Sequence, residues 1–492
     1  MFKEYARYDA TSLAELIARG EVTAAELLEA ALECADALNP RINAINIPMT
    51  EIGRARAGSA LSGPFAGVPF LIKDIHQDYA GVPTTAGCHA LRNWKPECHA
   101  KVVARFLAAG LVIFGKTATP EFALKARTES RLFGATRNPW DLSRTPGGSS
   151  GGAAAAVAAG IVPMAGASDG GGSIRIPASF CGLFGLRPSR GRVPAGPRDG
   201  EIWEGASGDH VLTRSVRDSA RMLDAIAGAD TGAPFIIAPP TLPYAEEIRR
   251  DPGRLRIGFC TRSPLGTPVH SECIAAVENT AQLLASLGHE VEPAEPAIDG
   301  NALAHCYFML YFGNVAASLA EARKLTGASE REFEPDTRVL ALLGRGVRSG
   351  DYVALRRQWN LFARALGEFH SRCDLYLTPT VALPPARIGE LEHSPIQKAL
   401  THIVLALRAG KLLWKSGIVE RIAREELQRT PFTQLSNLTG TPSMSVPLHW
   451  SADGLPVGVQ FIARCGDEAT LFRLAAQLEQ ARPWAERRPE LR

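Results

Sequence analysis

The sequence predicts an α/β fold in which helices cover a central sheet. Two short apolar runs, Pro69–Ile72 and Leu111–Phe114, are typical of buried strands, and the alanine-rich segment 153–160 is typical of a buried helix. From about residue 60 to 195, such strands alternate with helix-like pieces and with loops rich in glycine, serine and proline. This alternation predicts an α/β layered fold, in which helices pack against a sheet.

Two helices are expected before this region. Ser12–Glu15 and Thr23–Glu26 both have the pattern of a capping box, in which a serine or threonine is followed three residues later by glutamate. Gly20 is expected to end the first helix and Asn39–Pro40 the second. Ile45–Ile47 then alternates like a short strand.

The rest of the chain carries elements of the same kinds. We expect helices at 215–227, 271–287 and 467–481, and strands at 254–259, 290–292, 443–446 and 457–462. Residues 303–425 are mostly helical, interrupted by a strand at Leu375–Leu377. Because strands return near the end, we expect one domain over 1–492, with a core at about 60–200 and 430–482 and a helical excursion at about 300–425.

Composition excludes several classes of protein. The 492 residues are 46% hydrophobic and 21% charged, which is ordinary for a soluble globular chain. A net charge of +3 over this length does not indicate the strongly basic surface that nucleic-acid binding requires. No run of about 18 apolar residues predicts a membrane span, and no apolar signal core follows Met1. The nine scattered cysteines form no CxxC pair, so we expect no disulfides and a cytoplasmic protein.

The loop Thr145–Gly152 consists almost entirely of small residues ahead of the alanine-rich helix. It is not a phosphate-binding loop, because no lysine follows Gly152 as that motif requires. It matches GxSxG around Ser149, but a nucleophile elbow needs a strand leading into it, and Arg144–Pro146 is a poor strand end. A plain tight turn is the ordinary alternative.

A second loop, Ser168–Pro177, places three consecutive glycines immediately before Ser173. Glycines allow backbone N–H groups to converge on one point, which is the geometry of an oxyanion hole. The alternative is a loop in which two backbones pass closely. Residues alone leave both interpretations open.

Lys73 closes the apolar run that begins near Gly67. A lysine in this position is usually exposed at the end of its strand. If it is buried and neutral, lowering its pKa from about 10.4 toward 7 costs about 4–5 kcal/mol, which only catalysis or a strong ion pair would justify.

Together, these three segments resemble the amidase signature family, whose members use a Lys–Ser–Ser triad. Ser149 and Ser173 lie 24 residues apart, as in that family's signature. Other segments similar to family landmarks extend the resemblance along the chain: Phe114–Phe122, Asn138–Trp140, Ser179–Gly182, Gly440–Pro442 and Gly454–Gly458. Within the family, the chain is most similar to the 6-aminohexanoate-cyclic-dimer hydrolases, by the stretches Asn39–Ala44, Ser62–Pro69 and Arg482–Trp484.

The resemblance implies the fold of that family, a single α/β domain whose central mixed, twisted β-sheet is covered by α-helices on both faces. It also implies a role for each catalytic residue. Ser173 matches the nucleophile, Ser149 the bridging serine that the family holds beside a non-proline cis peptide, and Lys73 the base. The proton would pass from Ser173 through Ser149 to neutral Lys73. Neither a metal nor a cofactor is required, and the implied substrate is a small-molecule amide that is linear, cyclic or aryl.

Residues around the nucleophile also match the family. The amides of Gly170, Gly171, Gly172 and Ser173 match its oxyanion hole. Many members have isoleucine or threonine where this chain has Gly170. Asp169 and Arg175 are expected to pair and brace the loop, and Lys116, which also lies in a family motif, is interpreted as structural.

Several alternatives remain at this stage. The chain could instead be the amidase-like subunit of a glutamine-dependent tRNA amidotransferase, or an inactive scaffold, although the intact triad counts against inactivity. Cys88–His89 and Cys98–His99 suggest a metal site, but their spacing matches no standard zinc pattern. The basic amphipathic helix expected at 402–419 fits a lid or surface helix better than a membrane-interfacial one. The sequence leaves open whether the chain forms a homodimer.

Specificity residues are expected in three parts of the chain: 200–240, 300–420 and near Asn437.

Overall fold

The computed structural model describes residues 2, 4–407, 410 and 424–491. Within these residues the central element is a sheet of 11 strands, whose order is β1-β3-β2-β6-β8-β7-β12-β13-β11-β9-β10. A separate two-stranded sheet pairs β4 with β5. The strands are β1 (Ile45–Pro48), β2 (Pro69–Lys73), β3 (Val112–Thr117), β4 (Glu129–Ser130), β5 (Gly134–Ala135), β6 (Met164–Asp169), β7 (Phe184–Arg187), β8 (Gly208–Thr213), β9 (Arg256–Phe259), β10 (Glu290–Pro293), β11 (Leu375–Pro379), β12 (Ser443–Trp450) and β13 (Pro456–Ile462).

The large sheet is mixed, as expected. β2 pairs in parallel with β3 and β6, and β9 pairs in parallel with β10 and β11, while the pairs from β6 through β8, β7 and β12 to β13 are antiparallel. Every residue of β2, β3, β6, β7, β11 and β13 is buried. Strands buried along their whole length have both faces covered, which explains why they are continuous apolar runs and not alternating patterns.

The helices that surround the sheet are α1 (Ala10–Ala18), α2 (Ala24–Ile42), α3 (Thr50–Ala57), α4 (Lys101–Ala108), α5 (Gly151–Ala158), α6 (Arg175–Cys181), α7 (Val216–Ile226), α8 (Tyr244–Glu247), α9 (Ser271–Ser286), α10 (Gly300–Thr326), α11 (Pro335–Gly344), α12 (Ser349–Arg372), α13 (Pro395–Ala406), α14 (Gln434–Thr439) and α15 (Glu468–Ala481). The predicted helices at 215–227, 271–287 and 467–481 are confirmed within one or two residues, as are the strands expected at 254–259, 290–292 and 457–462. The strand expected at 443–446 is confirmed but extends further, to Trp450.

The cap of the first helix differs from the prediction. The N-cap is Asp9, whose carboxylate accepts a hydrogen bond from the Ser12 N–H at 2.9 Å. The free N–H groups of Ala10 and Thr11 donate instead to Asp218, which comes from a distant helix. This tertiary partner satisfies the first turn and lets the helix begin before Ser12. The capping box at Thr23 and Glu26 is confirmed.

The end of α2 also differs. The helix passes through Pro40 and ends at Ile42. Asn43, in the left-handed conformation at φ 50°, donates its N–H to Asn39 O at 2.8 Å. The Asn39 side chain in turn accepts hydrogen bonds from the next two N–H groups, Ala44 and Ile45. These bonds allow a proline in the last turn, where the prediction had placed the helix end.

α10 is an apolar helix inside the protein. Among the described residues it is the one helix long and apolar enough to cross a membrane, yet 61% of its apolar stretch is buried within the protein. It packs with α11 and α12 around a second apolar cluster that contains Phe308, Phe312, Leu343 and Phe362. A membrane span is therefore not supported. Of the basic amphipathic helix predicted at 402–419, residues 402–406 belong to α13, and most of the rest, 408–409 and 411–419, lies outside the described residues.

Candidate active site

Sheet topology brings the Lys73 segment close to the loop Ser168–Pro177. β2 and β6 are parallel neighbours, with Leu71 opposite Ala165. Their carboxyl ends, which carry Lys73 and Asp169, therefore lie at the same edge of the sheet. This edge is where open α/β sheets usually bind their ligands.

Lys73 is completely buried at the end of β2. Its Nζ lies 2.7 Å from Ser149 Oγ and 3.0 Å from Ser168 Oγ, and donates to both. Burial lowers the pKa of Lys73 from 10.5 to about 7, although the negative charges of Asp209 and Asp169 partly offset this effect. At neutral pH a substantial fraction of Lys73 is therefore uncharged and able to accept a proton.

Ser149 lies just before α5, and its peptide bond with Gly148 is cis. No strand of the described residues leads into it, which excludes the nucleophile-elbow interpretation of GxSxG. Gly148 packs directly on the backbone of Lys125 and Arg127, so that a side chain at this position would overlap both. The glycine is therefore required for the close approach of the two loops.

Ser173 occupies the turn between β6 and α6 and is half-buried. It lines a cavity of about 240 Å³ together with Gly148 and Gly171. Among the described residues, no hydrogen bond to its Oγ is found. The hydroxyl is therefore available to a molecule in the cavity.

The backbone of the glycine loop is clamped. The Gly172 N–H donates to Asp169 Oδ1 at 2.7 Å, and the Gly171 carbonyl accepts from Thr433 Oγ1 at 2.6 Å and from Gln434 Nε2 at 3.2 Å. The Gly172 N–H is therefore engaged, whereas no hydrogen bond from the N–H groups of Gly170, Gly171 or Ser173 is found among the described residues. A side chain at Gly171 would overlap the Tyr307 hydroxyl.

Gly170, where the chain departs from many family members, is less constrained. A Cβ built there would meet its nearest neighbours at 3.5 Å, which is ordinary contact. The site thus has room for the larger residues that the family often carries.

The expected pair of Asp169 and Arg175 is confirmed. Both side chains are fully buried, and the guanidinium donates to the carboxylate at 2.8 and 2.9 Å. Arg175 also donates to Thr433 O, Gln460 Oε1 and Asn437 Oδ1. The Arg175 charge keeps the pKa of Asp169 well below its usual range against the opposing effect of burial. Asn437, near which specificity residues are expected, itself belongs to this buried network, and the expectation for its neighbours stays a prediction.

The sequence did not single out the groups behind Lys73. Gln77 Oε1 accepts the Lys73 N–H at 2.8 Å, and Gln77 Nε2 donates to Asp209 Oδ1 at 2.9 Å. Burial raises the pKa of Asp209 to about 6. Ser168 lies in the loop Ser168–Pro177, but the prediction for that loop was based on its glycines. No sequence pattern predicted a role for Gln77 or Asp209.

Lys116 has a structural environment. It is fully buried in β3, and its Nζ donates to Thr84 Oγ1 at 2.6 Å. Its pKa is lowered mainly by burial, with Asp74 and Asp78 acting in the opposite direction. This supports its interpretation as a structural residue.

The cysteine–histidine pairs do not form a cluster. Cys88 is buried whereas Cys98 is exposed, and His99 Nδ1 accepts the Ala80 N–H at 3.1 Å. Over the described part of the chain, no group of three or more His, Cys, Asp or Glu side chains is arranged to hold a metal ion.

We expect EDTA to leave activity unchanged, because the residues that the family resemblance assigns as base and nucleophile, Lys73 and Ser173, are protein side chains. The measurement is the initial rate of amide hydrolysis before and after incubation with the chelator and removal of released metal. Loss of activity that zinc restores would contradict this expectation and would favour a metal site at Cys88 and His99.

Besides Gly148, Gly171, Ser173 and Ile176, the cavity wall comes from 123–127, α10, α11 and 426–434, with His393 and Thr401. α10 contributes four aromatic side chains, Tyr307, Phe308, Tyr311 and Phe312. Part of 300–420 therefore lines the cavity, and its role in specificity stays a prediction. Segment 200–240 contributes no residue to this wall; Trp203 instead packs behind Tyr311, with ring centroids 5.4 Å apart. Segments 123–127 and 426–430 were not predicted.

Comparison with known proteins identifies the family of this chain. The amidase family model matches residues 26–413 and 420–472. The chain belongs to the amidase family. It is 38% identical to the 6-aminohexanoate-cyclic-dimer hydrolase of Paenarthrobacter ureafaciens, over 98% of this chain and 96% of the relative.

Solved structures show the same relation. The structure of a 6-aminohexanoate cyclic dimer hydrolase complexed with substrate superimposes with a TM-score of 0.90 at 37% identity, covering 99% of both chains. A bacterial aryl acylamidase of the amidase signature family gives a TM-score of 0.82 at 25% identity, covering 97% of both chains. This amidase is thus an α/β enzyme of the amidase signature type that hydrolyses carbon–nitrogen bonds of small-molecule amides and is not a peptidase.

Proposed function

We propose that this amidase cleaves its substrate through Ser173 as nucleophile, with Ser149 relaying protons to Lys73. The observation that carries the proposal is the 2.7 Å contact between Lys73 Nζ and Ser149 Oγ, made by a fully buried lysine whose pKa is lowered to about 7. A lysine in this state is suited to act as a base near neutral pH.

In the acylation step, Lys73 Nζ takes the proton of Ser149 while Ser149 Oγ takes that of Ser173. The Ser173 oxygen attacks the amide carbonyl and forms a tetrahedral intermediate. The negative oxygen faces the N–H groups of Gly170, Gly171 and Ser173, which the clamped loop holds in place before the reaction begins.

Collapse of the intermediate breaks the carbon–nitrogen bond. The leaving nitrogen takes a proton from Ser149, which recovers one from protonated Lys73, so both residues return to their starting states. The acyl group remains on Ser173 as an ester. A water molecule, activated by the same relay, then hydrolyses this ester and releases the carboxylic acid.

The cavity supports an amide with an apolar body. Tyr307, Phe308, Tyr311 and Phe312 form an aromatic wall, and the volume of about 240 Å³ accommodates a small molecule. We propose a linear, cyclic or aryl amide, which agrees with the names of the similar hydrolase and acylamidase. The nine free cysteines agree with a reducing compartment, and we propose the cytoplasm.

A substrate panel tests this function. We expect the purified chain, without any partner, to hydrolyse at least one of three classes, anilides, short aliphatic amides or cyclic amides, and not to hydrolyse glutamine. Release of amine and of ammonia would be measured separately. Hydrolysis confined to glutamine would favour the amidotransferase subunit, and a folded chain inactive on every substrate would favour the inactive scaffold.

A further inference from the structure

Tyr307 presents a hydroxyl group without a protein partner to the catalytic cavity. The residue belongs to α10, is 7% exposed, and lines the cavity together with Gly171 and Ser173. Its Oη makes no hydrogen bond with the described residues, and it is not one of the unpartnered polar atoms that are closed off from solvent. A molecule in the cavity can therefore reach this hydroxyl.

The Tyr307 hydroxyl lies directly against the oxyanion loop. A Cβ built on Gly171 would be 2.0 Å from Tyr307 Oη, far inside the distance at which two atoms can approach. The φ of Gly171 lies outside the left-handed range, unlike that of Gly172 at 120°, so the backbone conformation does not require a glycine at position 171. A glycine is needed there because the hydroxyl occupies the space of a side chain.

The ring of Tyr307 is held in place by aromatic neighbours. Its centroid is 6.0 Å from that of Phe308, 6.1 Å from that of Tyr311 and 6.5 Å from that of Trp203. These contacts restrict the ring before a substrate binds. A donor that is fixed in advance stabilises a developing charge without the cost of reorganisation.

The hydroxyl also keeps its proton. Burial raises the pKa of Tyr307 well above its usual range, and the negative charge of Asp169 acts in the same direction. The group is therefore a neutral donor at any workable pH. Because the N–H groups of Gly170, Gly171 and Ser173 in the adjacent loop are also without a partner among the described residues, the ligand atom that suits this place is an acceptor that gains negative charge.

We propose that Tyr307 Oη donates a hydrogen bond to the carbonyl oxygen of the scissile amide, and that this bond strengthens as the oxygen becomes negative. The inference rests on the proposed function, in which Ser173 attacks that carbonyl. The Ser173 oxygen bonds to the carbonyl carbon, the π electrons of the carbonyl move onto its oxygen, and the Ser173 proton passes through Ser149 to Lys73. Tyr307 keeps its own proton throughout. It is thus a catalytic residue in addition to the triad, a side-chain donor beside the backbone N–H groups.

The test uses a trifluoromethyl ketone built on the acyl group of the best amide in the panel, and the alcohol obtained by reducing that ketone. The ketone adds the nucleophile and places a negative oxygen against the loop, whereas the alcohol binds without reacting. The ratio of their inhibition constants, called here the ketone preference, therefore measures stabilisation of the negative oxygen. For Tyr307→Phe, we expect the ketone preference and the kcat for the amide each to fall about a hundredfold, while the inhibition constant of the alcohol stays within about threefold of the wild-type value.

Tyr311→Phe is the matched control. It also removes one hydroxyl from the cavity wall, but this hydroxyl already donates to the Leu124 carbonyl. We expect the ketone preference of this variant to equal that of the wild type, whatever happens to its amide rate. An unchanged ketone preference in Tyr307→Phe, or an equal fall in Tyr311→Phe, would show that Tyr307 acts only through packing and would overturn the proposal.

Two further measurements keep the outcomes separate. If Tyr307→Phe does not fold, a crystal structure of the wild type with the ketone bound decides: we expect Tyr307 Oη within about 3.0 Å of the ketone oxygen, and a separation above about 3.5 Å would overturn the proposal. Ser173→Ala should lose the ketone preference altogether, because no adduct can form. A ketone preference retained in that variant would instead refute the proposed function.

Discussion

Ser173→Ala is expected to lower kcat at least about ten-thousandfold and to leave the protein folded. The hydroxyl lies in the cavity and makes no hydrogen bond with the described residues, so its removal breaks no structural contact. The nucleophile, however, has no replacement, because without it no acyl-enzyme can form. The measurements are kcat on the best amide of the panel, circular dichroism and the thermal unfolding midpoint.

A trapping experiment makes the assignment specific. Mass spectrometry of the wild type quenched during turnover of an activated ester should find the acyl group on the peptide containing Ser173. Ser168→Ala is a suitable control, because Ser168 also contacts Lys73 but is not on the proposed proton path to the substrate; it should still form the adduct. Appreciable amide turnover by folded, uncontaminated Ser173→Ala protein would refute the nucleophile assignment.

Local sequence patterns predicted most of the fold, because the burial of a strand or helix determines the spacing of its apolar residues. β2 and β3 are recognisable as continuous apolar runs, since strands covered on both faces need no polar side. The errors occurred where distant residues take part. α1 starts at its observed position because Asp218 satisfies its first N–H groups, and Pro40 is tolerated because Asn39 and Asn43 bond the end of α2. Contacts of this kind leave no periodic signal.

In the candidate active site, too, some residues could be predicted from local sequence patterns and others could not. Lys73, Ser149 and the glycine loop stand out because unusual residues interrupt ordinary patterns, and a familiar spacing connects them. The supporting groups Gln77, Asp209 and Gln434 are ordinary polar residues in sequence. Their importance depends on burial and on partners far along the chain, such as the bond between Gln434 and Gly171. Only the folded arrangement could identify them.

For Lys73 we expect kcat/KM to rise with pH through a limb near pH 7. Burial lowers the folded-state pKa of this lysine to about 7, so below that pH it is protonated and cannot accept a proton from Ser149. Above that pH it is neutral, and the rate should level off. The measurement is a pH–rate profile of the wild type on a substrate whose own ionisation lies outside the range.

Two substitutions distinguish a base from a structural charge. Lys73→Ala should remove most of the rate, and the residual activity should no longer show this limb. Lys73→Arg should be no better, because a guanidinium keeps its proton at any workable pH and can only donate to Ser149. If Lys73 were instead a permanently charged residue holding the Ser149 loop, arginine would preserve that charge and much of the activity, and the limb would persist in the variant. A fully active Lys73→Arg enzyme would therefore rule out lysine as the base.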